Sequence, residues 1–219
     1  MKTIGATGPL LALLFGLTAC SEAPKTAEAP KETPKETPKE TPKEAPKPAE
    51  PLTGRQAFQK IYPQARAWAP DAQPLQLKSI QLADVKQENG KAGAWQVIFV
   101  SPSMSKSKSW TYSVVEGPGN LHEGSFAGSE DPWTAPRAGA QPFPLMAIKF
   151  DSDQAYEAAA AKSADYIKKN PDKPIQYVME QTNRFPDLTW RVIWGESIGT
   201  SDYSVFVDAT TGKYLGTMH

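Results

Sequence analysis

Residues 189–216 read TWRVIWGESIGTSDYSVFVDATTGKYLG, and the alternation within them decides the fold. Trp190, Val192 and Trp194 fall two apart, the period of a strand with one buried face. Residues 203–208 form a second apolar run, closed by Asp208-Ala209-Thr210-Thr211-Gly212. That pentapeptide carries turn chemistry: an aspartate that accepts from its own backbone two residues on, and a glycine that takes positive φ. A paler copy, AWQVIFVSPSMSKSKSWTYSVVEGPGNLHEG, occupies residues 94–124. There Trp95, Val97 and Phe99 repeat the alternation, and Tyr112-Ser113-Val114 echoes Tyr203-Ser204-Val205. Glu116-Gly117-Pro118-Gly119-Asn120 stands in place of the turn.

Each copy is preceded by a helical signal. Thr53 with Gln56 forms a capping box, after which Phe58, Ile61, Tyr62, Ala65 and Trp68 share one helical face. Pro63 interrupts that pattern and is expected to kink or break the helix. Asp151 with Gln154 forms a second capping box, followed by Tyr156, Ala159, Ala160, Ser163 and Ile167 on one face and a cationic, proline-stopped end at Lys168-Lys169-Asn170-Pro171. Strands are expected at 75–85, 95–101, 110–115 and, more weakly, 121–126, then again at 175–182, 189–195, 203–208 and 213–217. The fold class is therefore α+β, with one helix and an antiparallel meander occurring twice. Each helix is expected to cover one sheet face and leave the other wetter or free for a partner.

The run Val205-Phe206-Val207-Asp208-Ala209-Thr210-Thr211-Gly212-Lys213 resembles the hallmark hairpin of PepSY-type domains, small cystatin-like modules of bacterial envelope and secreted proteins. The likeness covers residues 189–216 well, the rest of the second half loosely, and the first half only in outline. It implies two PepSY-like halves, at 52–130 and 150–219, joined by a connector at 131–149. It also implies a non-catalytic role, with peptidase inhibition or regulation proposed for some members. No inhibitory residue carries over, because the matching residues form a turn.

The first twenty residues have a different character. Lys2 is followed by the apolar run 10–17, too short for a membrane span, which needs about 20 apolar residues. Leu17-Thr18-Ala19-Cys20 resembles the lipobox of bacterial lipoproteins, which implies a signal peptide at 1–19 and an acylated Cys20 that anchors the chain to a lipid bilayer. Cys20 is the single cysteine of the chain, so there is no disulfide framework, and thioether formation removes an exposed thiol. Ser21 and Glu22 lack the aspartate that commonly retains such proteins at the inner membrane, which favours the outer membrane, facing the periplasm.

Residues 20–51 contain Lys-Glu-Thr-Pro three times in succession, at 31–42, without any aromatic side chain. Such a segment buries too little surface to offset chain entropy and is expected to be a disordered or polyproline-like spacer. Alternating Lys and Glu keep it soluble with little net charge. A Pro-rich docking motif would need apolar specificity positions that it lacks.

The residues offer little chemistry. Asp208, Thr210 and Thr211 are better explained by the turn than by a metal. His122 and His219 are isolated, and no closely spaced His or Cys set points to zinc. Ser125 and Ser129 lie near His122, but without a nucleophile elbow. Glu180 and Glu196 fit exposed strand positions, and no phosphate loop follows a strand. A formal net charge of +0 together with the export signal argues against nucleic acid. No cofactor is implied, and the chain reads as a non-enzyme. The tryptophans are Trp68, Trp95, Trp110, Trp133, Trp190 and Trp194. Trp95 and Trp190 start apolar alternations and belong to a core. Trp133 lies in Ser129-Glu130-Asp131-Pro132-Trp133-Thr134-Ala135-Pro136, a connection without hydrophobic periodicity, and is the candidate contact for an envelope protein or peptide. A non-catalytic binding module is the leading reading; an envelope hydrolase and a purely structural envelope component are the alternatives.

Overall fold

The computed structural model describes residues 49–119, 121–135 and 139–219. The expected signal peptide, Cys20 and nearly all of the expected spacer lie outside the described residues. Helix α1 (Gly54–Trp68) starts from a complete capping box, with Thr53 accepting from the Gln56 N–H and Gln56 reaching back to the Thr53 N–H. Helix α2 (Ser152–Lys162) starts the same way from Asp151 and Gln154. The strands are β1 (Leu52–Thr53), β2 (Gln73–Ile80), β3 (Lys91–Ala92), β4 (Ala94–Ser101), β5 (Lys106–Ser113) and β6 (Gly124–Pro132), then β7 (Ile175–Glu180), β8 (Thr189–Trp194), β9 (Tyr203–Asp208) and β10 (Tyr214–Met218).

Eight of these strands form one antiparallel sheet in the order β10-β9-β8-β7-β2-β4-β5-β6, while β1 pairs with β3. The two meanders therefore do not stack as separate layers. Their first strands pair edge to edge at the centre, through Gln76 with Glu180, Leu77 with Met179 and Lys78 with Val178. Both helices lie on the same side. Phe58, Ile61 and Ala65 of α1 share one core with Ala155 and Ala159 of α2, and with Leu77, Trp95, Val97, Phe99, Tyr177, Trp190, Val192 and Val205 from the sheet.

The pairing corrects one element of the internal echo. Trp95 pairs with Tyr112 on β5, whereas Trp190 pairs with Val207 on β9. With the two tryptophans taken as equivalent, Tyr112 corresponds to Val207, and Tyr203 lies opposite Trp194 instead. The Tyr-Ser-Val match is out of register by four positions. The spatial repeat is carried by the tryptophan strands.

Three further expectations change. Pro63 stays inside an unbroken α1; Pro63 and Gln59, the residue whose carbonyl loses its helical partner, are both exposed, while Phe58, Ile61 and Ala65 stay packed in the core. The second helical run, by contrast, breaks at Ser163, where φ is −121° and ψ 13°, and resumes as α3 (Ala164–Lys169). The Ser163 hydroxyl donates back to the Ala159 carbonyl at 2.8 Å and contacts the Tyr203 hydroxyl, a local bond that competes with the helix ladder. Finally, Ser129-Glu130-Asp131-Pro132 is strand, the outer half of β6, paired with β5 through Lys106 and Pro132. An edge strand open to solvent carries no apolar alternation, so it reads as loop.

The face away from the helices is partly closed as well. Val100, Val178 and Ile193 are buried there, and Phe206 carries Phe185 at 4.6 Å with the Arg184 and Arg191 guanidinium groups over its ring. Among the described residues no helix is long and apolar enough to cross a membrane.

Candidate binding cleft

The loop between β2 and β3 is held by its own end. Asn89 and Gly90 have φ of 49° and 78°, the two positive values of a type I′ turn, and Glu88 and Lys91 exchange backbone hydrogen bonds around them. The Gly90 N–H donates to the Tyr177 hydroxyl at 3.0 Å, and the Gly90 carbonyl accepts from the Ser152 hydroxyl. Ser152 in turn accepts from the Gly54 N–H at 2.8 Å, while Asp151 Oδ1 accepts from the Arg55 N–H at 2.9 Å. The loop, the first turns of both helices and β7 thus meet through buried hydrogen bonds. Burial pushes the Tyr177 phenol above its ordinary pKa, which keeps it neutral at this junction.

Beside this junction the loop borders a cleft of about 510 Å³, within the range of roughly 300–1,000 Å³ usual for ligand sites. Its apolar lining comes from Trp194, Ile175, Ile167 and Tyr156, with Leu82 and Gln87 supplied by the loop. Lys86 and Lys173 are matched by Glu88 and Asp172, so the charged lining is balanced. Part of it is already paired: Lys86 with Glu88 at 3.7 Å, and Lys173 with Asp202. The Asp202 hydrogen bond holds the Lys173 ammonium above its usual pKa.

Gln87 is the unusual member. It is 8% exposed, and neither its Oε1 nor its Nε2 has a hydrogen-bond partner. An unpaired buried polar group costs about 1–3 kcal/mol, so a carboxamide left open at both atoms is costly unless something outside the chain meets it. Sequence reasoning missed this residue. The Asn89-Gly90 dipeptide was the available signal for a tight turn here, but nothing local marks the glutamine two positions earlier as buried.

The residues singled out from sequence are spread over the molecule. Trp133 follows β6 and is half-buried; its N–H continues the edge ladder to the Ser105 carbonyl at 2.9 Å. His122 lies against Phe126, with Nδ1 3.2 Å from Glu116, while the Ser125 hydroxyl donates to the Lys60 carbonyl at 3.3 Å. His219 contacts the edge of Tyr203. Asp208 Oδ1 accepts from the Thr210 and Thr211 N–H groups at 2.7 and 3.0 Å, the geometry of a turn, and Gly212 has φ +71°. Glu180 accepts from the Gln76 amide at 2.7 Å, and the Glu196 carbonyl accepts from Gln176. Among the described residues no three His, Cys, Asp or Glu side chains converge as a metal site. Trp68 donates its indole N–H to Glu130, whose carboxyl is held below its usual pKa by the Lys106 hydrogen bond and then by Trp68 itself.

No protein-family model and no curated protein matches the chain. Among solved structures, a candidate lipoprotein of Clostridium difficile 630 is similar over 73% of this chain and 93% of its own, at 12% identity and a TM-score of 0.43. A likeness of that degree carries no argument about function.

Proposed function

We propose that the protein is a lipid-anchored bacterial envelope component that acts as a non-catalytic binding module. The observation that carries this reading is the order of segments: Leu17-Thr18-Ala19-Cys20, then the Lys-Glu-Thr-Pro spacer, then a folded unit beginning at Leu52. Acyl chains on Cys20 fix the chain at the bilayer, since two or three of them hold where one holds only marginally. The spacer sets reach, about 90 Å if fully extended as polyproline II and roughly 30 Å as a coil. The folded unit then meets a peptide or protein of the envelope, with the half-buried Trp133 at the β6 edge as one contact. The absence of the inner-membrane aspartate after Cys20 supports the outer membrane, and the Asp208–Gly212 hairpin supports the PepSY-like assignment with peptidase regulation as the associated role.

Metabolic labelling with a fatty acid tests the anchor. The unsubstituted protein is expected to be labelled and membrane-bound, and Cys20→Ser unlabelled and unprocessed or soluble. Label on Cys20→Ser defeats the reading. Affinity capture from envelope extract, run with the intact protein and with residues 25–48 deleted, tests the module. The same partner retained by both forms supports a binding surface on the folded unit.

A further inference from the structure

We propose that the cleft beside residues 81–90 takes an extended, uncharged peptide segment whose main-chain amide pairs with the Gln87 carboxamide. The inference rests on the reading of the protein as a binding module and names the site and ligand class that reading leaves open.

Three observations converge. The first is the carboxamide itself, 8% exposed with neither polar atom partnered. A carboxamide presents a donor and an acceptor side by side, the complement of a peptide C=O and N–H. Both atoms are shut off from solvent in this structure, so the segment pairs with them only once Gln87 turns its carboxamide toward the cleft that the residue lines. With the segment bound, the carboxamide exchanges an unpaired state for a paired one. The second is charge. The lining carries Lys86 and Lys173 against Glu88 and Asp172, and three of these are already paired, Lys86 with Glu88 and Lys173 with Asp202. A balanced rim gives no net attraction to a phosphate or a carboxylate and leaves a neutral main chain favoured. The third is the apolar lining of Trp194, Ile175, Ile167 and Tyr156, which suits an aliphatic side chain on the same segment.

The surrounding framework fixes one end of the loop that carries Gln87. Gly90 at the loop's end is fixed to Tyr177 and Ser152, whereas Lys86, Glu88 and Asn89 are exposed.

The probe is N-acetyl-leucyl-leucinamide, added to the mature lipid-anchored chain in nanodiscs with glutamine side chains labelled with ¹⁵N. The expected result is a saturable shift of the Gln87 side-chain NH₂ resonance. Gln87→Leu should weaken binding at least tenfold without lowering the thermal midpoint, because the substitution removes two unpaired atoms and keeps most of the volume. Gln87→Glu, of the same shape, should weaken it comparably. An unmoved Gln87 resonance overturns the proposal. So does unchanged affinity in Gln87→Leu, a lowered midpoint in that variant, which would place the amide in a bond within the fold, or adenosine shifting the resonance in place of the peptide. Each of these leaves the binding-module reading to be judged by envelope capture, which does not depend on this cleft.

Discussion

Trp95 and Trp190 stand in equivalent places and hold equivalent backbone atoms. Trp95 donates its indole N–H to the Leu52 carbonyl and Trp190 to the Phe150 carbonyl, each at 2.9 Å. Those carbonyls belong to the residues just before the two N-caps, Thr53 and Asp151. The rings meet edge to face, with centroids 6.3 Å apart at 74°. Each helix is therefore tied down at its first turn by the tryptophan of its own meander, and the two ties touch at the centre of the sheet.

This relationship predicts a coupled pair. Trp95→Phe and Trp190→Phe each remove an indole N–H from a part-buried carbonyl and leave a void, and each is expected to cost about 2 kcal/mol or more. Because the rings are in contact, the double variant should depart from additivity by at least about 0.5 kcal/mol. Urea unfolding of the four proteins measures the coupling. Strict additivity would mean that the ring contact contributes nothing.

Much of this architecture was legible in the residues. Both capping boxes, the Trp95/Val97/Phe99 and Trp190/Val192/Trp194 alternations and the Asp208–Gly212 turn are local patterns, and local patterns survive into the fold. The junction between meanders was not legible, because β2 and β7 pair through Gln76, Leu77 and Lys78 with no side-chain signal for one partner over another. Pro63 misled for a related reason: a local rule against helices was overridden by a face packed on the sheet. Gln87 lay beyond reach altogether, since a glutamine between the exposed Lys86 and Glu88 carries no local sign of burial.

Asp71 predicts an acid-sensitive hairpin. The Ser101 hydroxyl donates to its Oδ1 at 2.7 Å and the Ser103 N–H to its Oδ2 at 2.8 Å. These bonds, that of Ser101 foremost, hold its pKa down to about 2 from an ordinary 3.8. The carboxylate is thus favoured in the folded state. Its contribution is present above the unfolded value and is lost as pH falls from near 4 toward 2. Asp71→Asn should flatten that part of the stability profile, measured by thermal unfolding at closely spaced pH. An unchanged acid limb would assign the loss to other groups.

The 208–212 turn predicts two effects of different size. Gly212 has φ +71°, and a Cβ there would come within 2.6 Å of the Phe150 ring, so Gly212→Val meets both backbone strain and a clash. A loss above about 1 kcal/mol is expected. Thr210 is not idle either. Its hydroxyl donates to the Ala147 carbonyl at 3.0 Å, pinning the turn to the 3-10 segment Leu145–Ala147. Thr210→Ala should cost about 0.5–1.5 kcal/mol, and Thr210→Ser should recover most of it. Equal small losses in denaturant unfolding for Gly212→Val and Thr210→Ala would contradict the turn geometry.

The two halves are expected to fold only together. Gly54 and Arg55 at the start of α1 donate to Ser152 and Asp151 at the start of α2, and the Gly90 carbonyl of the first half accepts from the same Ser152. Beneath these bonds Trp95 packs on both Trp190 and Tyr177. A fragment of residues 150–219 keeps α2 and β7 to β10 but exposes Tyr177, Met179 and Trp190, all wholly buried in the intact chain. It also frees the β7 edge that Gln76, Leu77 and Lys78 occupied. A unit of about seventy residues without disulfides has little stability to spare for such losses. Circular dichroism and amide exchange should show the fragment largely unfolded at 25 °C, and mixing it with residues 49–149 should restore protection at β7. A fragment that unfolded cooperatively at the midpoint of the intact protein would show that the central pairing joins two independent folds.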